Sequence, residues 1–233
     1  MGDPICAIFA PQGAEFKAVR KGLKRCGRLG HTALFPIPIG PQAIQAYLDR
    51  WHRSELPRLG HSPAVLVMGL CGSLTPKLNV GDRVLYHTCL DAGVFTSVPP
   101  LLCDAALRLT VQERLGNAVT VVTALTCDRM VHRANEKLDL GQCYGAQVVD
   151  MEGYAFLKGL QGLGVAVGML RVVSDDACGD VPDLSAAIAE HGTLKPTALA
   201  LSLVREPRKG FRLIQGSLAG LKQLEQSVLE LFV

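Results

Sequence analysis

Two short runs hold the residues best suited to chemistry: Val148-Val149-Asp150-Met151-Glu152-Gly153, and Arg171-Val172-Val173-Ser174-Asp175-Asp176-Ala177. Each follows or forms an apolar, strand-like segment and carries a carboxylate at an element boundary. A carboxylate at the C-terminal end of a sheet strand can project into a cleft. A third acid, Glu15, lies near the N-terminus. Three such acids suit a site that manages a developing positive charge and a departing group. Each also has a plainer reading. Asp175 reads equally well as a helix cap at a strand-to-helix turn, while Glu152 and Glu15 suit the first turn of a helix, where the dipole favours them.

These acids need a scaffold, and the pattern around them alternates strands with helices. Strands are expected over Ile5–Ala10, Ala33–Ile39, Ala64–Met68, Arg83–Leu90, Val119–Ala124, Gln147–Val149 and Val165–Val173. Helices are expected over Glu15–Arg25, Pro41–Trp51, Leu101–Leu115, Arg133–Tyr144, Glu152–Leu163, Thr193–Arg205 and Pro207–Leu231. Gly69 to Gly72 reads as a turn after a buried strand, where the backbone can approach a ligand closely. Gly159 to Gly164 precedes a strand, so it reads as a helix end and not as a dinucleotide loop. Ser97 to Pro100 reads as a loop. The alternation predicts one α/β domain over residues 1–233, three layers deep, with a mixed, largely parallel sheet. The segment at about 207–231 has apolar residues at three- and four-residue steps and a basic start. It fits a helix closing over the sheet or a partner subunit, or one touching an anionic membrane.

Composition narrows the partners. The net charge of +3 and an aromatic share of 5% give no footing for nucleic acid. No apolar run is long enough to span a bilayer. The start of the chain lacks a basic signal-peptide region, and the eight cysteines are scattered with no Cys-x-x-Cys pair. A reducing cytoplasm without disulfides is expected. The six histidines do not cluster, and Cys127 with His132 lacks further ligands, so neither a metal nor another cofactor is expected.

Four pieces, in order, carry a resemblance: Gly13-Ala14-Glu15 after the first strand; Gly69-Leu70-Cys71-Gly72-Ser73-Leu74 with Val80-Gly81-Asp82; Val149-Asp150-Met151-Glu152; and Val173-Ser174-Asp175-Asp176-Ala177. Together they resemble the nucleoside phosphorylase/nucleosidase superfamily, and within it the methylthioadenosine/S-adenosylhomocysteine nucleosidases and adenosylhopane-type phosphorylases. The resemblance implies the phosphorylase/hydrolase-like αβα fold and a purine nucleoside as small-molecule substrate. It implies Asp175 as the acid at the purine N7 edge, with Asp176 its rival position. It implies Glu152 on the ribose hydroxyls, Met151 under the sugar and Glu15 as activator of water. Met130 would face the base where relatives place an aromatic ring, and the Val131 main chain would meet its edge. Cys71, Gly72 and Ser174 would complete the substrate contacts. A homodimer or larger assembly is implied too.

The chemistry is that of glycoside cleavage: an acid at the leaving group, and a nucleophile on the opposite face of an oxocarbenium-like sugar. Asp175 is expected to be a buried carboxyl whose proton burial retains. The chain also departs from the family. Val67 and Met68 stand where phosphorylases often carry an arginine, and Leu70 stands where nucleosidases carry serine. Arg129 and His132 are further candidate anion contacts. The leading reading is hydrolysis of an adenine-type nucleoside. Its alternatives are phosphorolysis of a nucleoside with a bulky 5′ group, and a nucleoside-binding protein that has lost efficient catalysis.

Overall fold

The computed structural model describes residues 4–93, 98–187 and 195–232. The start of the helix expected from Thr193, and Ser97 of the expected loop, lie outside them. The strands are β1 (Ile5–Pro11), β2 (Ala33–Ile37), β3 (Ala64–Ser73), β4 (Arg83–Asp91), β5 (Leu101–Leu102), β6 (Val119–Thr126), β7 (Val148–Asp150) and β8 (Ala166–Asp175). The helices are α1 (Ala14–Arg25), α2 (Pro41–Ser54), α3 (Ala105–Leu115), α4 (Ala134–Tyr144), α5 (Gly153–Leu160), α6 (Pro196–Arg205) and α7 (Pro207–Leu231).

The strands form one mixed sheet, as expected. Pairing is parallel for β1 with β2 and β3, for β3 with β8, and for β6 with β4 and β7. It is antiparallel where β3 meets β7 and where β4 meets β5 and β8. The sheet also closes on itself: β3, β7, β6, β4 and β8 form a ring, and β1 and β2 extend from it. That closure carries the ends of β3, β7 and β8 to one place.

Side chains alternate across the strands. Ala7, Phe9, Val65 and Val67 point into a core shared with Ile44, Leu48 and Trp51 of α2 and Phe156 of α5. Ile8, Ala10, Leu66 and Met68 point into the other core, with Val19 and Leu23 of α1, Leu107 of α3, and Leu224 and Val228 of α7. Apolar residues on both strand faces explain why these strands read as continuous hydrophobic runs.

Two expected boundaries move by four residues or more. The helix expected from Leu101 begins at Ala105, because Asp104 caps it by accepting the Leu107 N–H at 2.8 Å, and Leu101–Leu102 pair with β4. The expected Gly69–Gly72 turn is strand: β3 continues to Ser73, paired with β8 and then β7. Sheet pairing, with β8 at Gly69 and with both β8 and β7 at Gly72, overrides the low strand propensity of glycine.

The long helix α7 closes one face. Glu225 pairs with Lys21 at 2.9 Å and Arg25 at 2.6 Å on α1. Glu230 accepts from Arg83 Nη2 on β4 at 2.9 Å. Among the described residues no helix is long and apolar enough to cross a membrane.

Candidate active site

β8 ends in Ser174-Asp175, and the strand pleat sends Asp175 into a cavity of about 220 Å³ beneath α7. That size suits a small molecule and not a polymer. Gly72 of β3 is its neighbour: a Cβ there would stand 3.0 Å from Asp175 Oδ2, so the glycine makes room for the carboxylate. The Ser174 hydroxyl lies 3.0 Å from Asp175 Oδ1 and 3.3 Å from the Cys71 carbonyl, and can donate to either.

Asp175 is buried, as expected, and it has a charged partner that the sequence did not point to. Lys137 of α4, fully buried, donates from Nζ to Asp175 Oδ2 and to the Asp176 carbonyl, the latter at 3.0 Å. A buried lysine without a partner would be costly, so the pair ties α4 to the end of β8. Nothing in the sequence spacing points to Lys137, which lies 38 positions from Asp175 on an otherwise unremarkable helix. The rival Asp176 turns away and pairs with Arg212 of α7.

The second cluster surrounds Arg171. This residue lies on β8 in register with Gly69 and is fully buried. Its Nη2 sits 3.3 Å from Asp150 Oδ2 and 3.5 Å from Glu152 Oε2. A Cβ on Gly69 would collide with Nη1 and lie 2.8 Å from Glu15 Oε1, so Glu15 flanks the guanidinium from the other side. Gly69 is therefore required for space. Burial disfavours the charge of Arg171, and the three acids with Tyr86 outweigh that and hold it cationic. Nε and Nη1 have no hydrogen-bond partner among the described residues. Val67 and Met68 occupy β3, as read from the sequence, and the arginine of this region comes from the neighbouring strand β8. Arg171 was visible within the second chemical run. An apolar strand interior gave no reason to assign it a role.

Local structure explains how the acids are held. Gly13, at φ 106°, turns the chain from β1 into α1 and places Glu15 in the first helical turn. Its Oε1 accepts the Leu70 N–H at 2.7 Å. Burial pushes the Glu15 carboxyl up, against that N–H and Arg171. Glu152 lies two residues past β7, at the N-terminal cap of α5, and its Oε1 accepts the Gly40 N–H at 3.3 Å. Burial pushes Glu152 up to about 8; Asp150 and Glu15 add to that, and Arg171 and the Gly40 N–H oppose it. Asp150 is pinned by Thr126 Oγ1 at 2.7 Å and the Gly153 N–H at 3.1 Å. Cys71 lines the cavity as a neutral thiol, its ionisation suppressed by burial.

The cavity brings together Glu15, Cys71, Gly72, Met130, Val131, Met151, Glu152, Ser174 and Asp175, all the substrate-site positions expected from sequence. Leu184, and Leu213 and Ser217 of α7, also line it. Sequence reading missed these, since their approach depends on how the C-terminal region folds back. Met130 packs against Val181, Leu184 and Leu213. The two suggested anion contacts fare differently. Arg129 reaches the cavity wall but pairs with Glu136, whereas His132 lines a separate surface depression.

A closed mixed sheet between helices, with acids converging where three strands end, defines an α/β enzyme-like scaffold with a small-molecule cleft. The model of the phosphorylase superfamily matches residues 51–205, well over half of the chain, and the protein belongs to that superfamily. A comparison with curated proteins by sequence returns no match. Among solved structures, the chain is similar to the 5′-methylthioadenosine/S-adenosylhomocysteine nucleosidase of Helicobacter pylori. The TM-score is 0.70 at 15% identity, over 97% of this chain and 96% of that one. It is equally similar to the futalosine hydrolase of Helicobacter pylori, with a TM-score of 0.70 at 15% identity over 97% and 95% of the two chains. The corresponding nucleosidase of Neisseria meningitidis gives 0.68 at 17% identity over 97% and 96%.

Proposed function

We propose that this protein hydrolyses the N-glycosidic bond of a purine nucleoside, with adenine as the favoured base. The observation that carries the reading is the charge around Arg171: one guanidinium enclosed by Glu15, Asp150 and Glu152. With one cation among three acids, the ionisation of a single carboxyl cancels its charge and leaves no surplus for a phosphate, whereas water needs only an acceptor and a donor. The nucleosidase and hydrolase names of the structural neighbours agree with water as the acceptor.

In this reading Glu152 accepts the ribose hydroxyls, and its ionised form opposes the positive charge that grows on the ring. Met151 packs under the sugar. The base lies toward Met130, Val131 and Asp175. As the C1′–N9 bond breaks, its electron pair goes to the purine, whose N7 takes a proton from the Asp175 carboxyl, and Lys137 Nζ stabilises the carboxylate left behind. Glu15 takes a proton from the attacking water, and the Arg171 guanidinium beside it orients that water.

The unpartnered Nε and Nη1 of Arg171 favour a second reading, phosphorolysis of a nucleoside with a bulky 5′ group. One assay separates the two. The protein is incubated with adenosine and 5′-substituted adenosines, with and without phosphate, and base and sugar products are separated chromatographically. Free ribose without phosphate supports hydrolysis. Strict dependence on phosphate with ribose 1-phosphate as product overturns it. Tight binding without release of base makes the protein a nucleoside binder, as the departures at Leu70 and Met130 suggest.

A further inference from the structure

Ten large hydrophobic side chains are exposed among the described residues, and five of them lie on α6 and the first half of α7. They are Leu201, Val204, Phe211, Ile214 and Leu218; Val204 is 75% exposed, and Phe211 and Leu218 are each 62% exposed. On α7 the spacing of three and four residues puts Phe211, Ile214 and Leu218 on one face, and exposed Lys222 continues that face. The opposite sides of both helices are already used. Leu199 and Leu203 of α6 pack with Val181, Leu184 and Leu213, while Gly216 of α7 presses on the backbone of Ser174 and Gly220 on the side chain of Leu70. The outward stripe is therefore surplus to the packing of the chain on itself.

Charge is concentrated on the same segment. Residues 195–218 hold Lys195, Arg205, Arg208, Lys209 and Arg212 against the single acid Glu206, a net +4. The whole chain has a net +3, so the remainder is net −1. Lys209 pairs with Glu206 and Asp180, and Arg212 pairs with Asp176. Lys195, Arg205 and Arg208 are exposed beside the apolar stripe.

We propose that α6 and the first half of α7 dock the protein, lying in plane, on an anionic membrane surface. Apolar side chains flanked by basic ones are what such a surface recognises: the first enter the headgroup boundary and the second meet anionic headgroups. A second copy of the chain is the poorer occupant. A two-fold contact would set the exposed Lys195, Arg205 and Arg208 of one copy against those of the other, and like charges across an interface are unfavourable. Docking also orients the cleft. Ser217 lines the cavity and is three residues from Ile214, hence its neighbour on the helix surface, so the cavity wall borders the docked face. The proposal does not depend on which nucleoside is cleaved.

The test is flotation of the full chain with vesicles of phosphatidylcholine alone or mixed with phosphatidylglycerol. Binding to the mixed vesicles is expected at low salt, with release at about 1 M salt, where the screening length falls to about 3 Å. The exposed double variants Phe211→Glu with Leu218→Glu, and Arg205→Glu with Arg208→Glu, are each expected to bind at least about tenfold more weakly. Circular dichroism checks that both remain folded. No flotation with mixed vesicles, or equal flotation with neutral ones, overturns the proposal. So does light scattering that finds a dimer in solution which the Phe211→Glu, Leu218→Glu variant splits into monomers.

Discussion

The Lys137–Asp175 pair makes the acid proposed for the base end part of a two-residue unit. Asp175→Asn keeps the shape and removes the ionisable group, and the turnover rate for nucleoside cleavage is expected to fall by about 10²–10⁴ with the circular dichroism spectrum unchanged. Lys137→Met leaves a carboxylate without its buried cation. It should lower turnover too, and when combined with Asp175→Asn the two losses should be far from additive. Additive effects would show that Lys137 acts apart from Asp175. Glu152 yields a prediction with a sign. Its folded carboxyl stands near 8 against an ordinary 4.5, so the native state holds a proton that the unfolded chain gives up between those values. Its contribution to stability is thus present below 4.5 and declines as the pH rises to about 8. Over the same span ribose binding should strengthen as the carboxylate forms. Glu152→Gln should flatten this part of the melting-temperature profile and raise KM for the nucleoside; an unaltered profile would assign the titration to another group.

At the scale of elements, the site depends on how closely α7 lies on the end of β8. A Cβ on Gly216 would collide with the Ser174 carbonyl oxygen, and that backbone is held in the sheet. Glycine-to-alanine inside a helix ordinarily stabilises by about 1 kcal/mol. Here the clash dominates, and Gly216→Ala is expected to cost about 1–3 kcal/mol in urea unfolding and to weaken catalysis by shifting Ser174-Asp175. A stabilised variant would mean that the helix can move outward freely. The same geometry explains β3: Gly69 and Gly72 interrupt an otherwise apolar strand because Arg171 and Asp175 on the adjacent β8 occupy the space their side chains would fill.

At the scale of the molecule, α7 links the N-terminal helix, the sheet and the cavity. Leu224 and Val228 are fully buried against α1 and β8, and Glu225 and Glu230 tie the helix to α1 and β4. Truncating Leu224 to Ala should destabilise the chain by about 2–5 kcal/mol, measured by urea unfolding. The pairs of Glu225 with Lys21 and Arg25 should contribute much less, about 0–1 kcal/mol each, because both cations remain exposed to water. The two faces of α7 thus do different work: one completes the core and the cleft, and the other carries the stripe assigned to a membrane surface.

The alternation of elements, the buried strands and the acids at their ends were legible in the amino-acid order, because periodicity and local propensity act over a few residues. That is why the αβα arrangement, the positions of Glu15, Glu152 and Asp175, and even the span of α7 could be read directly. Arg171 and Lys137 were not assigned, nor was the reason for Gly69 in mid-strand. Each depends on a partner far along the chain: Arg171 on Glu15, Asp150 and Glu152, Lys137 on Asp175, and Gly69 on Arg171. A charge buried at the centre of a protein is tolerated only by what surrounds it, and those surroundings exist only once the sheet has closed.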